Sequence, residues 1–176
     1  MDIFLFWVIF ITFLVLVLGT FAWGGILAAP WIPVWKKDIK RLLDLAQIKP
    51  GETLYDLGAG DGRIVIMAAK EYNAIAVGYE IASLPYFLAY IKILVLGLRG
   101  KASFRYRNFF KADLSQADII VTFLTPPAME KLKPKFEREL KPGARVVSYA
   151  FSIKGWEPKQ KSKPNKKTTA IYFYQR

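Results

Sequence analysis

The 176-residue sequence contains no cysteine and no histidine. The first absence excludes a disulfide framework, a thiolate nucleophile and cysteine metal sites. The second excludes serine–histidine triads, histidine-ligated zinc and an imidazole general base. Whatever chemistry the chain performs uses neither thiol nor imidazole, and no metal is expected. Charge is also missing from one long stretch, since no charged residue lies between Asp2 and Lys36. Residues 36–176 hold all 26 basic residues and 13 of the 14 acids. The chain is 53% apolar, too hydrophobic for disorder, and long enough for one domain of ordinary size.

The uncharged stretch is almost purely apolar from residue 3 to residue 29. A helix needs roughly 20 such residues to cross about 30 Å of hydrocarbon. A cleaved signal peptide has a basic start and a shorter apolar core, and neither is present. A buried core helix of this length has too little domain to cover it. A transmembrane helix is therefore expected. Trp23, Trp31 and Trp35 suit an interfacial aromatic belt. Pro30 and Pro33 end the helix. The flank that follows carries Lys36, Lys37, Lys40 and Arg41, whereas the flank before carries no basic residue. The positive-inside rule places the C-terminal part in the cytoplasm. The expected division is a transmembrane anchor with an interfacial segment over residues 1–35 and a globular domain over residues 36–176.

The globular part alternates between helical and extended patterns. Apolar spacing predicts helices over residues 37–48, 63–72, 83–98 and 127–140. Short apolar runs predict strands over 53–57, 74–80, 102–107, 118–124, 144–151 and 168–174. Residues 154–167 are lysine-rich and low in complexity, and a loop is expected there. Alternating strands and helices imply βαβ units and a parallel sheet flanked by helices. Ligands of such sheets bind at the strands' C-terminal ends, where the strand order reverses.

One such junction carries the strongest chemical signal. Residues 55–63 read Tyr-Asp-Leu-Gly-Ala-Gly-Asp-Gly-Arg, between a strand and a helix. Glycines here let the backbone turn and let a ligand approach closely. The spacing is G-x-G-x-G; the dinucleotide fingerprint G-x-G-x-x-G fails because Arg63 holds its third position. Asp56 and Asp61 also suit a pyrophosphate badly. No P-loop motif occurs. Two carboxylates favour a ligand with positive charge and hydroxyl or amino donors. Glu80, at the end of the next strand, is placed to accept both hydroxyls of a ribose.

YDLGAGDGRI followed by VGYE resembles the cofactor-binding motifs of class I S-adenosylmethionine-dependent methyltransferases. Residues 29–33, 107–114, 122–126 and 141–156 sharpen the resemblance to one subgroup. These are the small, membrane-anchored protein-lysine methyltransferases related to those of the mitochondrial adenine nucleotide translocase and the ATP synthase c-subunit. The resemblance covers about residues 29–157. It implies an α/β, Rossmann-like class I methyltransferase sheet flanked by helices and preceded by one transmembrane helix. It also implies S-adenosylmethionine as cofactor. Asp56, Gly58 and Gly60 would then hold its methionine end, Glu80 the ribose, and Asn108 and Phe109 the adenine, with Ala59 and Asp61 also among the cofactor-binding residues. The segment around Trp31 would cap the pocket near the membrane. Many class I enzymes carry aspartate where Asn108 stands.

A sulfonium is already an activated methyl donor, so the protein must mainly align the acceptor and exclude water. A lysine acceptor must also lose its proton, which costs roughly 4.6 kcal/mol at pH 7 from a reference pKa of about 10.4. An apolar pocket lowers that cost. Candidate walls are Trp31, Tyr86, Phe109, Phe151 and Trp156. Thr125 and Pro126, after the fourth strand, are substrate-side candidates, with helix capping as the plain alternative. No general base stands out. The basic charges are scattered, which argues against nucleic acid and suits an anionic membrane surface or a solvated face. Lysine N-methylation of a membrane protein is the expected function. Methylation of a lipid or quinone-like molecule, and a non-catalytic cofactor-binding protein, are the alternatives.

Overall fold

The computed structural model describes residues 2–176. Helix α1 (Ile3–Leu27) leads, capped by the Asp2 side chain. A proline-containing segment follows, and then α2 (Lys36–Leu45). The globular part continues with β1 (Thr53–Leu57), α3 (Arg63–Glu71), β2 (Ile75–Glu80), α4 (Ser83–Val95) and β3 (Ala102–Tyr106). After a short 3-10 turn at Phe109–Lys111 come β4 (Ile119–Thr122), α5 (Pro126–Glu139), β5 (Arg145–Tyr149), β6 (Gln160–Ser162) and β7 (Ile171–Gln175).

The sheet has seven strands in the order β3-β2-β1-β4-β5-β7-β6. The first five are parallel, and β7 runs antiparallel to both β5 and β6. The sheet is thus mixed rather than wholly parallel. A long crossover helix is needed to return a parallel strand, and none lies between β5 and β7. Strand β6 falls inside the lysine-rich stretch expected to be a loop. Its Gln-Lys-Ser sequence has no apolar alternation, so only its pairing with β7 makes it a strand. Helix α2 stops at Leu45, ahead of the expected residue 48, because the backbone turns left-handed at Gln47.

Alternate residues of each strand feed opposite layers. Ile119, Val121 and Val147 face a core shared with α2, α3 and α4. Ile120 and Val146 face a second core covered by α5. Both faces of the central strands are buried, and β4 reads as a continuous apolar run for that reason. The order reverses between β1 and β4, so a crevice opens at their C-terminal ends.

Close approach around that crevice explains its glycines. Gly62 ends the loop with φ +79°, and a Cβ there would lie 2.2 Å from Phe104 Cζ. Gly78, on β2, would place a Cβ 2.4 Å from the same ring. Helix α3 thus starts hard against the sheet, which aims the loop's backbone into the crevice.

Helix α1 has two unlike halves. Its residues are exposed as far as Leu16. From Val17 onward one stripe (Val17, Thr20, Phe21, Gly24) is partly buried. The Thr20 hydroxyl accepts from the Ser83 backbone N–H and lies 3.1 Å from the Ser83 hydroxyl. At the helix end, the Thr125 N–H and hydroxyl both donate to the Ala28 carbonyl, the hydroxyl at 2.6 Å.

Candidate active site

The crevice over β1 and β4 is a cleft that opens to solvent. The glycine loop forms its floor, and the ends of β2 and β4 form its sides. The inner face of α1 and the segment after it form the remaining wall.

Asp56 sits at the floor, 3% exposed. Its Oδ2 has no hydrogen-bond partner among the described residues. Burial pushes its carboxyl up to about 8, with the charges of Glu80 and Asp61 adding to the effect. A buried polar oxygen without a partner is costly unless a ligand supplies one.

Glu80 is fixed in place. Its Oε2 accepts from the Gly60 N–H at 2.8 Å, and its Oε1 from the N–H groups of Ile81 and Ala82 at 2.7 Å. These bonds tie the glycine loop to the end of β2. A carboxylate offers about four acceptor sites, so capacity remains for a hydroxyl.

Asp61 also lines the cleft, but its carboxylate is taken. Arg63 grips it with two bonds of 2.9 Å, and Lys92 adds one of 2.7 Å. Burial alone would raise its pKa, yet these cations hold it below the usual range. Asp56 is therefore the carboxylate at the floor without a cation on it.

Asn108 and Phe109 border the far end. The Asn108 Oδ1 accepts from the Phe110 N–H at 2.9 Å, which leaves its amide NH₂ for a ligand. Phe109 is buried, with its ring 4.6 Å from that of Phe110. Trp31 lies across the glycine loop. A Cβ on Gly60 would come within 2.6 Å of its indole nitrogen, so only glycine leaves room for the ring. Phe21 of α1 stands 6.0 Å from Trp31, centroid to centroid.

Not every expected wall residue reaches the cleft. Tyr86 packs with Tyr90 and Tyr106 at the sheet edge. Trp156 packs against Phe136 and Tyr174 beneath α5, and Phe151 lies outside the lining. Thr125 and Pro126 stand just outside it as well. Thr125 occupies the N-cap position of α5 without capping it; its hydroxyl holds Ala28 instead. Phe21, Gly24 and Phe123 do line the cleft, and sequence reasoning misses them. The α1 residues carry no signal, because an unbroken apolar run hides an inward-facing stripe.

The family described as the ANTKMT methyltransferase domain matches residues 56–160. The chain belongs to this family. Among its relatives is a protein-lysine N-methyltransferase of Saccharolobus islandicus, 43% identical over 148 residues. That alignment covers 82% of this chain and 92% of the relative. The human lysine N-methyltransferase of the ATP synthase c-subunit is 37% identical over 131 residues, covering 73% of this chain and 54% of the relative. The chain thus spans about half the length of that human protein. Among solved structures, an RNA methyltransferase from Salinibacter ruber, in complex with S-adenosyl-L-homocysteine, superposes with a TM-score of 0.78. It is 34% identical, with 82% of this chain and 93% of that one covered.

The family's cofactor is S-adenosylmethionine, and the cleft fits it. An unpartnered buried carboxyl suits a cationic ammonium or sulfonium. A fixed carboxylate at a strand end suits ribose hydroxyls. A glycine at position 60 leaves room for the Trp31 ring over the loop.

Proposed function

We propose that this protein is an S-adenosylmethionine-dependent protein-lysine N-methyltransferase held in a membrane by α1, with lysine of a membrane protein as acceptor. The observation that carries this reading is the construction of the cleft. One wall of it is α1 itself, an apolar helix of membrane-spanning length. The site therefore lies where a membrane protein presents its lipid-surface residues. Similarity to relatives named for lysine methylation of the ATP synthase c-subunit and of the adenine nucleotide translocase supports the same acceptor class. Residues 1–35 then form the anchor and interfacial segment, and residues 36–176 the methyltransferase domain on the cytoplasmic side, as the basic flank at Lys36–Arg41 indicates.

Each residue's part follows from its surroundings. When bound, the cofactor supplies a methyl group already activated on a positive sulfur. Asp56 holds the cationic methionine end, with Gly58, Ala59 and Gly60 giving the backbone surface around it. Glu80 accepts from the ribose. Asn108 and Phe109 border the adenine end. Asp61 acts through Arg63 and Lys92, which keep the loop in place. Trp31, Phe21 and Phe123 supply an apolar rim that excludes water and favours a neutral acceptor amine. Thr125 serves the substrate side indirectly, by fixing the end of α1, and Pro126 begins α5 beside it.

Mass mapping of membranes from the native source, after incubation with purified protein and cofactor, tests the acceptor. The expected result is added methyl groups localised to lysine side chains of an integral membrane protein. Methyl groups on arginine, on amino termini or on soluble proteins alone would contradict the proposal.

A further inference from the structure

Helix α4 is apolar on both of its faces. Pro85, Ala89 and Ile93 are buried toward the sheet. Leu84, Phe87, Leu88, Ile91, Leu94 and Val95 are exposed, at i, i+3, i+4 and i+7 spacing. Phe87 is 57% exposed and Val95 80%. A solvated helix carries polar residues on its outer face. Here the charged residue of the helix is Lys92, and it is turned to Asp61.

The depth of α1 indicates what covers this face. Hydrocarbon about 30 Å thick takes roughly 20 helical residues at 1.5 Å each. Counted from Ile3, that length ends near Trp23, a half-exposed residue suited to the interface. The domain, however, already touches α1 at Thr20, and α1 is partly buried from Val17. Only the part as far as Leu16 is free, and it is too short to cross. The element docked at the overlapping level is the start of α4, through Thr20 and Ser83. Any position of α1 that spans the bilayer therefore brings the start of α4 down to the lipid. Arg99, Lys101, Arg105 and Arg107 are exposed just beyond α4 and along the edge strand β3, where anionic headgroups would meet them.

We propose that the outer face of α4 is a second membrane-contact surface, lying in the bilayer interface beside α1 and setting the cleft at the lipid surface. The inference rests on α1 crossing the bilayer, so its test reads the two contacts separately. The chain has no cysteine, so single cysteines can be introduced into the full-length protein at will. Leu14→Cys reports on α1, Phe87→Cys and Ile91→Cys on α4, and Lys131→Cys on the exposed side of α5. Each is labelled with an environment-sensitive fluorophore in phosphatidylcholine–phosphatidylserine vesicles. Retained cofactor binding confirms each fold.

The expected result is quenching at 87 and 91 by lipids carrying a doxyl group near the headgroup end of the acyl chain, and at 14 by lipids carrying it near the methyl end, with loss of quenching by aqueous iodide at all three. Position 131 should show the reverse. Iodide quenching at 87 and 91 equal to that at 131, with 14 in lipid, overturns the α4 surface and leaves the anchor standing. Shielding from iodide without doxyl quenching means a protein covers the face, a second copy or a substrate, and also overturns it. Iodide access at 14 removes the anchor and the inference together.

Discussion

Replacing Asp56 by asparagine is expected to stabilise the free protein and to weaken cofactor binding strongly. The carboxyl is buried, one oxygen lacks a partner, and its pKa stands at about 8 against an ordinary 3.8. Between those two values the folded chain keeps a proton that the unfolded chain has released. The contribution of Asp56 to the stability of the free protein therefore falls as pH rises from about 4 to about 8, and is level outside that window. Asparagine cannot ionise and carries no such dependence. At pH 7 the variant should be more stable by roughly 2–4 kcal/mol, and the gain should vanish near pH 4. Thermal melts across pH check this.

Binding should move the opposite way. A cationic ligand favours the ionised carboxylate, so S-adenosylmethionine affinity should rise with pH toward about 8, with a proton released on binding. Calorimetry in buffers of different ionisation enthalpy reads that proton directly. The Asn variant should lose about 100-fold or more in affinity and all of the pH dependence. Unchanged affinity in the variant would remove Asp56 from the site.

Glu80→Ala should lower cofactor affinity by about 100-fold while costing some stability. Charged hydrogen bonds contribute about 1.5–3 kcal/mol each, and this carboxylate accepts three from the backbone before any ligand arrives. Part of the loss is a loosened glycine loop, so affinity alone does not establish contact with ribose. A cofactor analogue lacking a ribose hydroxyl separates the two effects. It should bind wild type more weakly than the natural cofactor, and bind Glu80→Ala as well as the natural cofactor does. A penalty of equal size in both proteins would make Glu80 a purely structural clamp.

The strand–glycine loop–helix unit is legible because its signals are local. Apolar β1, the G-x-G-x-G turn and the start of α3 occupy eleven consecutive positions, from Thr53 to Arg63. Glu80 follows from a strand end at the right distance. The aromatic candidates show where locality fails. Trp31 and Phe109 reach the cleft, whereas Trp156 packs beneath α5 and Tyr86 at the sheet edge. Nothing in composition separates these, because burial of a ring is set by tertiary packing. The antiparallel direction of β7 is likewise invisible, since a strand's pattern carries no direction. Thr125 does follow the fourth strand, but its partner Ala28 lies 97 residues earlier. Helix α1 hides the most. Its hydropathy marks a candidate membrane span and conceals that Phe21 and Gly24 line the cleft.

Transfer of radiolabelled methyl from S-adenosylmethionine into membranes of the native source tests the central claim most directly. Products are separated into protein, lipid and RNA, with Asp56→Asn as the control. Label in a discrete integral-membrane protein, recovered as methyllysine and absent with the variant, is the predicted result. Label confined to lipid or to RNA, or a protein label that persists with Asp56→Asn, would contradict it.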